Sequence, residues 1–219
     1  MPARHPVPAM AQRAKSDAKP DTPARRDTGR PARPRGGGPG IRRLDRRFFE
    51  RDVLVVAPDL VHKVLAVADG RAGRIVEVEA YRGADDPAAH SYRGPTPRNR
   101  TMFGPPGHLY VYLSYGLHWC ANATCGDGTA VLVRAIAPLS GIDAIRAARP
   151  GVRERDLANG PGKVARALGI DGSLDGLDLA TDDRIAVFDD GYAHPRPHRV
   201  TPRIGITRAA DRPWRWVAG

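Results

Sequence analysis

The run VEVEAY, from Val76 to Tyr81, alternates between apolar and polar side chains. A period of two is the pattern of a β-strand, because successive side chains of a strand point to opposite faces of the sheet. The run therefore predicts a strand with Glu77, Glu79 and Tyr81 on one face and Val76, Val78 and Ala80 on the other. Any fold of this chain has to accommodate two carboxylates and a phenol on one face of a sheet.

Other segments can be assigned in the same way. The β-branched and aromatic residues of 108–125 predict a strand or hairpin, Thr129 to Pro138 a second strand, and the part from Leu177 several short strands. Helices are predicted near Leu60, Val61, Val64 and Leu65, over Ser140 to Arg149 with Ser140 as a candidate N-cap, and from Pro161 onward. This mixture predicts a single α+β domain that is mostly antiparallel.

Charge divides the 219-residue chain into two parts. Residues 1–43 hold 11 Lys/Arg and 3 Asp/Glu, which is a net of +8 out of +11 for the whole chain. This segment is rich in Pro, Ala, Arg and Gly and has few large apolar side chains, so it predicts a disordered basic tail before a folded domain over residues 44–219. The overall charge favours a polyanionic partner but says little about the folded part.

Several classes of protein are disfavoured by the sequence. The sequence contains no run of about 18 apolar residues, so no membrane span is predicted. The N-terminus has no apolar region typical of a secretory signal. The two cysteines, Cys120 and Cys125, favour a reducing cytoplasm. The sequence has no CxxC or HxxxH pair, which would indicate a metal site, and no GxGxxG or GxxxxGK[ST] loop, which would indicate a nucleotide cofactor. Neither a metal nor a cofactor is therefore expected.

Carboxylates and aromatic residues are the candidates for chemistry. A carboxylate that activates water needs neighbours that hold the water in place. Two acids on an exposed strand face can equally have no function. The alternation alone does not decide between a catalytic role and a plain solvent-exposed face. Tyr110 and Tyr112 share one face of their strand, and Tyr110 is interpreted as a half-buried sheet residue. Tyr115 breaks this parity beside Gly116, where an exposed ring can stack or wedge between bases.

A basic loop and a lysine complete the candidates. The loop carries Arg98 and Arg100 together with the apolar Met102 and Phe103, a combination that suits phosphate contact plus insertion into DNA, although a plain surface loop explains it equally well. Lys163 is a candidate for a phosphate contact or for a helix cap.

These pieces together resemble a known family. The markers are EAY followed by AAHS, then TPRNR and LYVYLSYG, and the similarity extends from about Phe48 to Trp216. The chain in this part resembles the alkyladenine (3-methyladenine) DNA glycosylases, the monofunctional enzymes of the eukaryotic type that are also found in bacteria. The resemblance implies one compact domain around a curved antiparallel sheet, a partly open barrel with peripheral helices, and a monomer that acts on double-stranded DNA.

The resemblance also implies roles for individual residues. Glu79 matches the general base that activates water, and Arg134 matches the arginine that positions it. The remaining matches are Tyr81, His90 and Tyr112 as walls around a flipped base, Asn122 as the residue that discriminates against the amino group of guanine, and Tyr115 as the group inserted into the duplex. Met102, from the basic loop, is expected to insert beside Tyr115. Arg98, Arg100 and Lys163 are expected at the DNA backbone. His118 stands where relatives often have another aromatic residue.

The implied activity is the release of 3-methyladenine, 7-methylguanine or hypoxanthine from DNA in the bacterial cytoplasm, in association with the nucleoid. A non-catalytic protein that binds damaged DNA on the same fold is the alternative, and the retention of both Glu79 and Arg134 favours the enzyme. An RNA-binding protein is the weakest reading, since no RNP-like or KH-like signature is present.

Overall fold

A curled antiparallel sheet organises the computed structural model, which describes residues 40–194 and 196–219. Within them the strands are β1 (Arg42–Arg43), β2 (Val64–Val67), β3 (Ala72–Arg82), β4 (Leu109–Ser114), β5 (His118–Gly126), β6 (Thr129–Ser140), β7 (Ile185–Asp189), β8 (Arg199–Thr201) and β9 (Arg215–Val217). Their order is β1-β7-β2-β3-β6-β5-β4, with β9 added to β3 and β8 to β9. The predicted α+β class with an antiparallel sheet is confirmed.

Four α-helices accompany the sheet in the described part of the chain. They are α1 (Arg46–Phe49), α2 (Val53–Leu60), α3 (Ile142–Ala148) and α4 (Pro161–Leu168). The main apolar core lies between these helices and the sheet, and a smaller cluster joins Met102, Tyr110 and Ala130. The predicted tail, residues 1–43, lies outside the described residues apart from its end, where Arg42 and Arg43 pair with β7.

The predicted strand over Val76 to Tyr81 forms the middle of β3, and two bulges shape it. The register passes from Ile75↔Ile136 to Glu77↔Ala135 and then to Val78↔Val133, so Val76 on β3 and Arg134 on β6 are the unpaired residues. A bulge bends a strand and changes the direction of its side chains. Ile75 is consequently buried in the core with Val78, while Val76, expected on that face, is half-exposed.

The helix predicted around Leu60 to Leu65 is shorter than expected. It ends at Leu60, and Val61 takes an extended conformation with ψ 136° as the residue after it. Val64 and Leu65 belong to β2, which pairs with β3 on one side and β7 on the other. Sheet pairing on both edges satisfies the strand backbone and buries its β-branched residues, which outweighs the helical spacing of the same apolar residues.

The predicted hairpin and the last two helices are present. β4 and β5 pair along their whole length, and α3 and α4 begin close to the predicted positions. Ser140 is not the N-cap of α3: Gly141 occupies that position with φ 64°, and the Ser140 hydroxyl donates to the carbonyl of Gly70 at 2.8 Å. A Cβ at Gly162 would lie 2.8 Å from Cβ of His118, so glycine lets α4 lie directly against the hairpin.

Candidate active site

A cavity of about 570 Å³ opens beside β3, β4 and β5. Its walls include most of the residues that the sequence singled out: Tyr81, His90, Arg98, Met102, Tyr112, Tyr115, Asn122 and Arg134. A volume in this range is ordinary for a site that encloses a small organic ligand. The structure therefore brings together side chains that are up to 53 residues apart in the sequence. Several of them, including Tyr81, Tyr112 and Asn122, lie on strands of the sheet.

Glu79 is completely buried beneath this cavity. Its Oε2 accepts a hydrogen bond of 2.9 Å from the Tyr81 hydroxyl, and its Oε1 accepts one of 2.8 Å from the backbone N–H of Ile204. The guanidinium of Arg134 lies 3.4 Å from Oε1. A buried polar group requires partners of this kind, and three groups from three parts of the chain hold the Glu79 side chain in place.

Glu77 serves a different local purpose. Its Oε1 accepts from Nε of Arg134 at 2.8 Å and from Nε of Arg215 at 2.7 Å. Burial alone would raise the pKa of Glu77, but the hydrogen bonds and charges of Arg215 and Arg134 outweigh it and lower that pKa. Glu77 therefore stays ionised and fixes Arg134, whose Nη1 lies 3.4 Å from Oε1 of Glu79.

Aromatic rings form one side of the cavity. The rings of His90 and Tyr112 meet edge to face with centroids 4.4 Å apart, and the rings of Tyr110 and Tyr112 stack at 5.5 Å. Nδ1 of His90 lies 3.1 Å from the Tyr110 hydroxyl. Tyr110, interpreted from the sequence as a half-buried sheet residue, lies on β4 but is only 1% exposed, and it also orients His90, a role that strand parity could not show.

Burial sets the protonation of these rings. It raises the pKa of Tyr110 to about 12 and raises the pKa of Tyr112 as well, so both stay neutral phenols. His90 keeps an open edge toward the cavity, but burial of its remaining surface lowers its pKa, and the charge of Arg98 acts in the same direction. His90 is thus a neutral imidazole at pH 7.

Asn122 lies on β5 at the floor of the cavity and is 4% exposed. Its side-chain amide donates to the backbone carbonyl of Tyr110 at 3.0 Å. This hydrogen bond fixes the plane of the amide, so Asn122 presents the same edge to anything that enters the cavity.

The tip of the β4–β5 hairpin carries exposed apolar side chains. Tyr115 is 90% exposed and has φ 50°, while Gly116 has φ 70°. Positive φ at both central residues is typical of a tight hairpin turn that favours Asn or Gly, so a tyrosine there costs conformational energy. Leu117, 74% exposed beside it, was missed because YGLH reads as the start of the next strand.

The basic loop is partly as expected. Arg98 and Arg100 are exposed, and Arg98 donates to the carbonyl of Leu113 at 2.8 Å. Met102 corrects the prediction: it is 2% exposed and packs on Tyr110 and Ala130, so it forms a wall of the cavity rather than a group that enters a duplex. The backbone turn over residues 100–103 points this side chain inward. Lys163 donates to the side-chain oxygen of Asn159 at 2.7 Å.

Sequence reasoning also missed a buried ion pair behind Glu79. Arg203 donates through both terminal nitrogens to Asp86, one of these distances being 2.8 Å, and both side chains are fully buried. The same guanidinium lies 4.8 Å from the ring centroid of Tyr81 and donates to the carbonyl of Ala80 at 3.0 Å. Arg203 directly precedes Ile204 and so anchors the segment whose N–H reaches Glu79. No short motif links residues so far apart.

Within the described residues, no group of three or more His, Cys, Asp or Glu side chains is arranged to hold a metal ion. In the same part of the chain, no helix is both long and apolar enough to cross a membrane.

Comparison with known proteins shows the family of this chain. The model of the family described as methylpurine-DNA glycosylase matches residues 47–219. A protein of Burkholderia lata named "Putative 3-methyladenine DNA glycosylase" is 58% identical over 178 residues, which cover 79% of this chain and 86% of that protein. Proteins of the same name from Rhodopseudomonas palustris and Nitrobacter winogradskyi are 51% identical over 188 residues and 52% over 176, covering 82% and 79% of this chain and 87% and 82% of those proteins. A match of this extent means that the chain belongs to the methylpurine-DNA glycosylase family.

Proposed function

We propose that this protein excises alkylated or deaminated purines, namely 3-methyladenine, 7-methylguanine and hypoxanthine, from double-stranded DNA. It flips the damaged nucleotide into the cavity and hydrolyses the bond between base and deoxyribose, which leaves an abasic site. The observation that carries the proposal is the buried Glu79 carboxylate, held by Tyr81, Ile204 and Arg134 beneath a cavity of nucleotide size. A glycosidic bond in a stacked duplex is inaccessible to such a buried group, so flipping is required.

Glu79 acts as the general base. Its two oxygens offer about four lone-pair sites, and the three contacts above leave one for a water molecule. As the water oxygen bonds to C1′ of the sugar, its proton passes to Glu79, and the electron pair of the glycosidic bond leaves with the base. The carboxylate also stabilises the positive charge that develops on the sugar, while Arg134, fixed by Glu77, positions the water.

The walls of the cavity select the base. The rings of Tyr81, His90 and Tyr112 offer surfaces against which a flipped purine can stack. A neutral His90 does not repel a base such as 3-methyladenine, which carries a positive charge when attached to the sugar. Such a base departs readily, whereas hypoxanthine is a poorer leaving group and depends more on hydrogen bonds. Asn122, whose amide is fixed by the carbonyl of Tyr110, disfavours the exocyclic amino group of normal guanine in this proposal.

On the duplex itself, Tyr115 fills the space that the nucleotide leaves, and Arg98, Arg100 and Lys163 contact backbone phosphates. The protein acts as a monomer on the DNA of the bacterial nucleoid in this proposal. A protein that binds damaged DNA without catalysis is the competing function, since the cavity and the hairpin would serve either.

Base release decides between the two. Duplexes with a single hypoxanthine and methylated duplexes are incubated with an excess of protein, and free base and alkali-cleavable abasic sites are measured together. Equal amounts of both products are expected. Tight binding with neither product, on either DNA, would support the non-catalytic binder.

A further inference from the structure

A second cavity, of about 560 Å³, borders the first one at the hairpin tip. Ser114, Tyr115, Cys120 and Pro161 line both cavities, so Tyr115 stands at their boundary. The other walls come from the end of α3, the loop after it, and α4: Arg149, Pro150, Val152, Gly160, Gly162, Lys163 and Arg166, with His118 from β5. The proposed excision reaction uses two of its residues, Tyr115 and Lys163, but assigns no ligand to the cavity that they line.

Its charge is positive and uncompensated. Arg149, Lys163 and Arg166 line it, and no carboxylate does. Arg166 donates to the carbonyl of Ala148 at 2.9 Å and Lys163 to the side-chain oxygen of Asn159, which are neutral acceptors. No ion pair within residues 40–194 and 196–219 involves any of the three cations. In the first cavity, by contrast, Arg134 is balanced by Glu77 and Glu79.

Its remaining surface is largely apolar, with Pro150, Val152, Pro161 and Tyr115 among its walls beside the polar Ser114 and His118. Three cations around an apolar floor fit a ligand that is anionic at its edge and hydrocarbon in the middle. A run of sugar–phosphate backbone has this chemistry, with phosphates for the cations and deoxyribose for the floor.

We propose that the second cavity holds two consecutive phosphates of duplex DNA, with the sugar between them, next to the site that Tyr115 enters. The inference rests on the proposed function and deepens it, since it adds a backbone site to the base site. Arg149 and Arg166 bind the phosphates together with Lys163. Because Tyr115 lies between the two cavities, a backbone seated in the second one fixes where along the strand the ring inserts.

The test is the salt dependence of DNA binding by the double variant Arg149→Gln/Arg166→Gln. A duplex with a stable abasic-site analogue serves as the ligand, and Kd is measured between 50 and 200 mM salt. Loss of two phosphate contacts lowers the slope of log K against log salt by about 1.8, so over this range the wild type loses roughly twelvefold more affinity than the variant does. Arg146→Gln is the matched control, because Arg146 lies on α3, is exposed and is paired with Asp143 and Glu154.

An unchanged slope in the double variant, equal to that of Arg146→Gln, would overturn the proposal. In a second arm, inorganic phosphate is added at constant ionic strength and DNA binding is measured for the wild type and the double variant. The proposal predicts no change in the wild type. If phosphate weakens DNA binding of the wild type but not of the double variant, the cavity is a site for a small free anion instead. The analogue has no base to remove, so this experiment is independent of excision. A protein that shows the slope change but releases no base keeps the backbone site and loses the proposed function.

Discussion

The hydroxyl of Tyr81 donates a hydrogen bond of 2.9 Å to the carboxylate of Glu79, two residues earlier on the same strand. The contact follows from the period of two, which places both side chains on one face of β3. Burial, together with the charge of Glu79 and this hydrogen bond, raises the pKa of Tyr81, so the phenol keeps its proton and remains a donor at any ordinary pH.

Tyr81→Phe should slow base release about 10- to 150-fold. A hydrogen bond to a charged group is worth about 1.5–3 kcal/mol, and the phenylalanine ring preserves the stacking surface, so binding of product DNA should change little. Single-turnover rates at saturating protein measure the effect, with Tyr92→Phe, an exposed tyrosine, as the control. A wild-type rate in Tyr81→Phe would show that the carboxylate does not depend on this donor.

Asp86→Asn should destabilise the protein by about 3–5 kcal/mol, because it leaves the charge of Arg203 buried without its partner. Urea unfolding measures the change. Asp59→Asn is the matched control, since it breaks the exposed pair of Asp59 with Arg51 and should cost less than about 1 kcal/mol. Equal effects of the two substitutions would contradict a structural role for the buried pair.

Tyr115→Asn should leave the free energy of unfolding unchanged or raise it, because asparagine tolerates the positive φ of this turn and the tyrosine ring is exposed. The same variant should excise hypoxanthine more slowly from duplex DNA and at a nearly normal rate from single strands, which leave no gap to fill. Leu117→Ala should show a weaker form of this pattern.

Val55→Ala, an exposed apolar residue on α2, is the control for both hairpin variants and should alter neither rate. Equal loss on duplex and single-stranded DNA would mean that Tyr115 does not act as a wedge.

Stability should fall as the pH drops below about 6.5. The pKa of His90 is lowered by burial and by Arg98, and that of His62 is lowered by burial and by His194. The unfolded chain therefore binds protons near pH 6.5 that the folded chain takes up only at lower pH. As the pH falls below about 6.5, protonation of His90 and His62 favours the unfolded state, whereas above pH 7 both are neutral in either state and have no such effect.

Melting temperatures at pH 7.5 and 5.5 test this. The fall in Tm between the two pH values should be smaller in His90→Gln and in His62→Gln than in the wild type, and smallest when both are replaced. An identical fall in Tm in the wild type, the two single variants and the double variant would show that the lowered pKa values of His90 and His62 do not cause the loss of stability.

Local pattern was enough to find two parts of the sheet. The alternation over Val76 to Tyr81 and the hairpin of 108–125 are both present in the sheet. The residues that family resemblance marked, such as His90 and Asn122, line one cavity. Where β-branched residues followed a helix, as at Val64, pairing across the sheet decided the structure, and no local pattern reports that.

Contacts over long sequence distances were out of reach. Ile204 meets Glu79 across 125 residues, and the Asp86–Arg203 pair spans 117. Met102 was misread for a related reason, because an apolar residue in a basic loop gives no sign of whether it points outward or packs on Tyr110. The two bulges that direct Val76 and Arg134 likewise depend on the partner strand.

The most direct test of the account compares Glu79→Gln with Glu77→Gln in single-turnover release of hypoxanthine, with DNA affinity measured on the same proteins. The glutamine at 79 can still accept from Ile204 and Tyr81 can still bond to it, so the fold and DNA binding should be retained. Loss of the general base should slow release about 10²- to 10⁴-fold, whereas Glu77→Gln, which loosens Arg134 and Arg215 but keeps the base, should slow it much less. Release by Glu79→Gln at a rate close to the wild type would contradict the account.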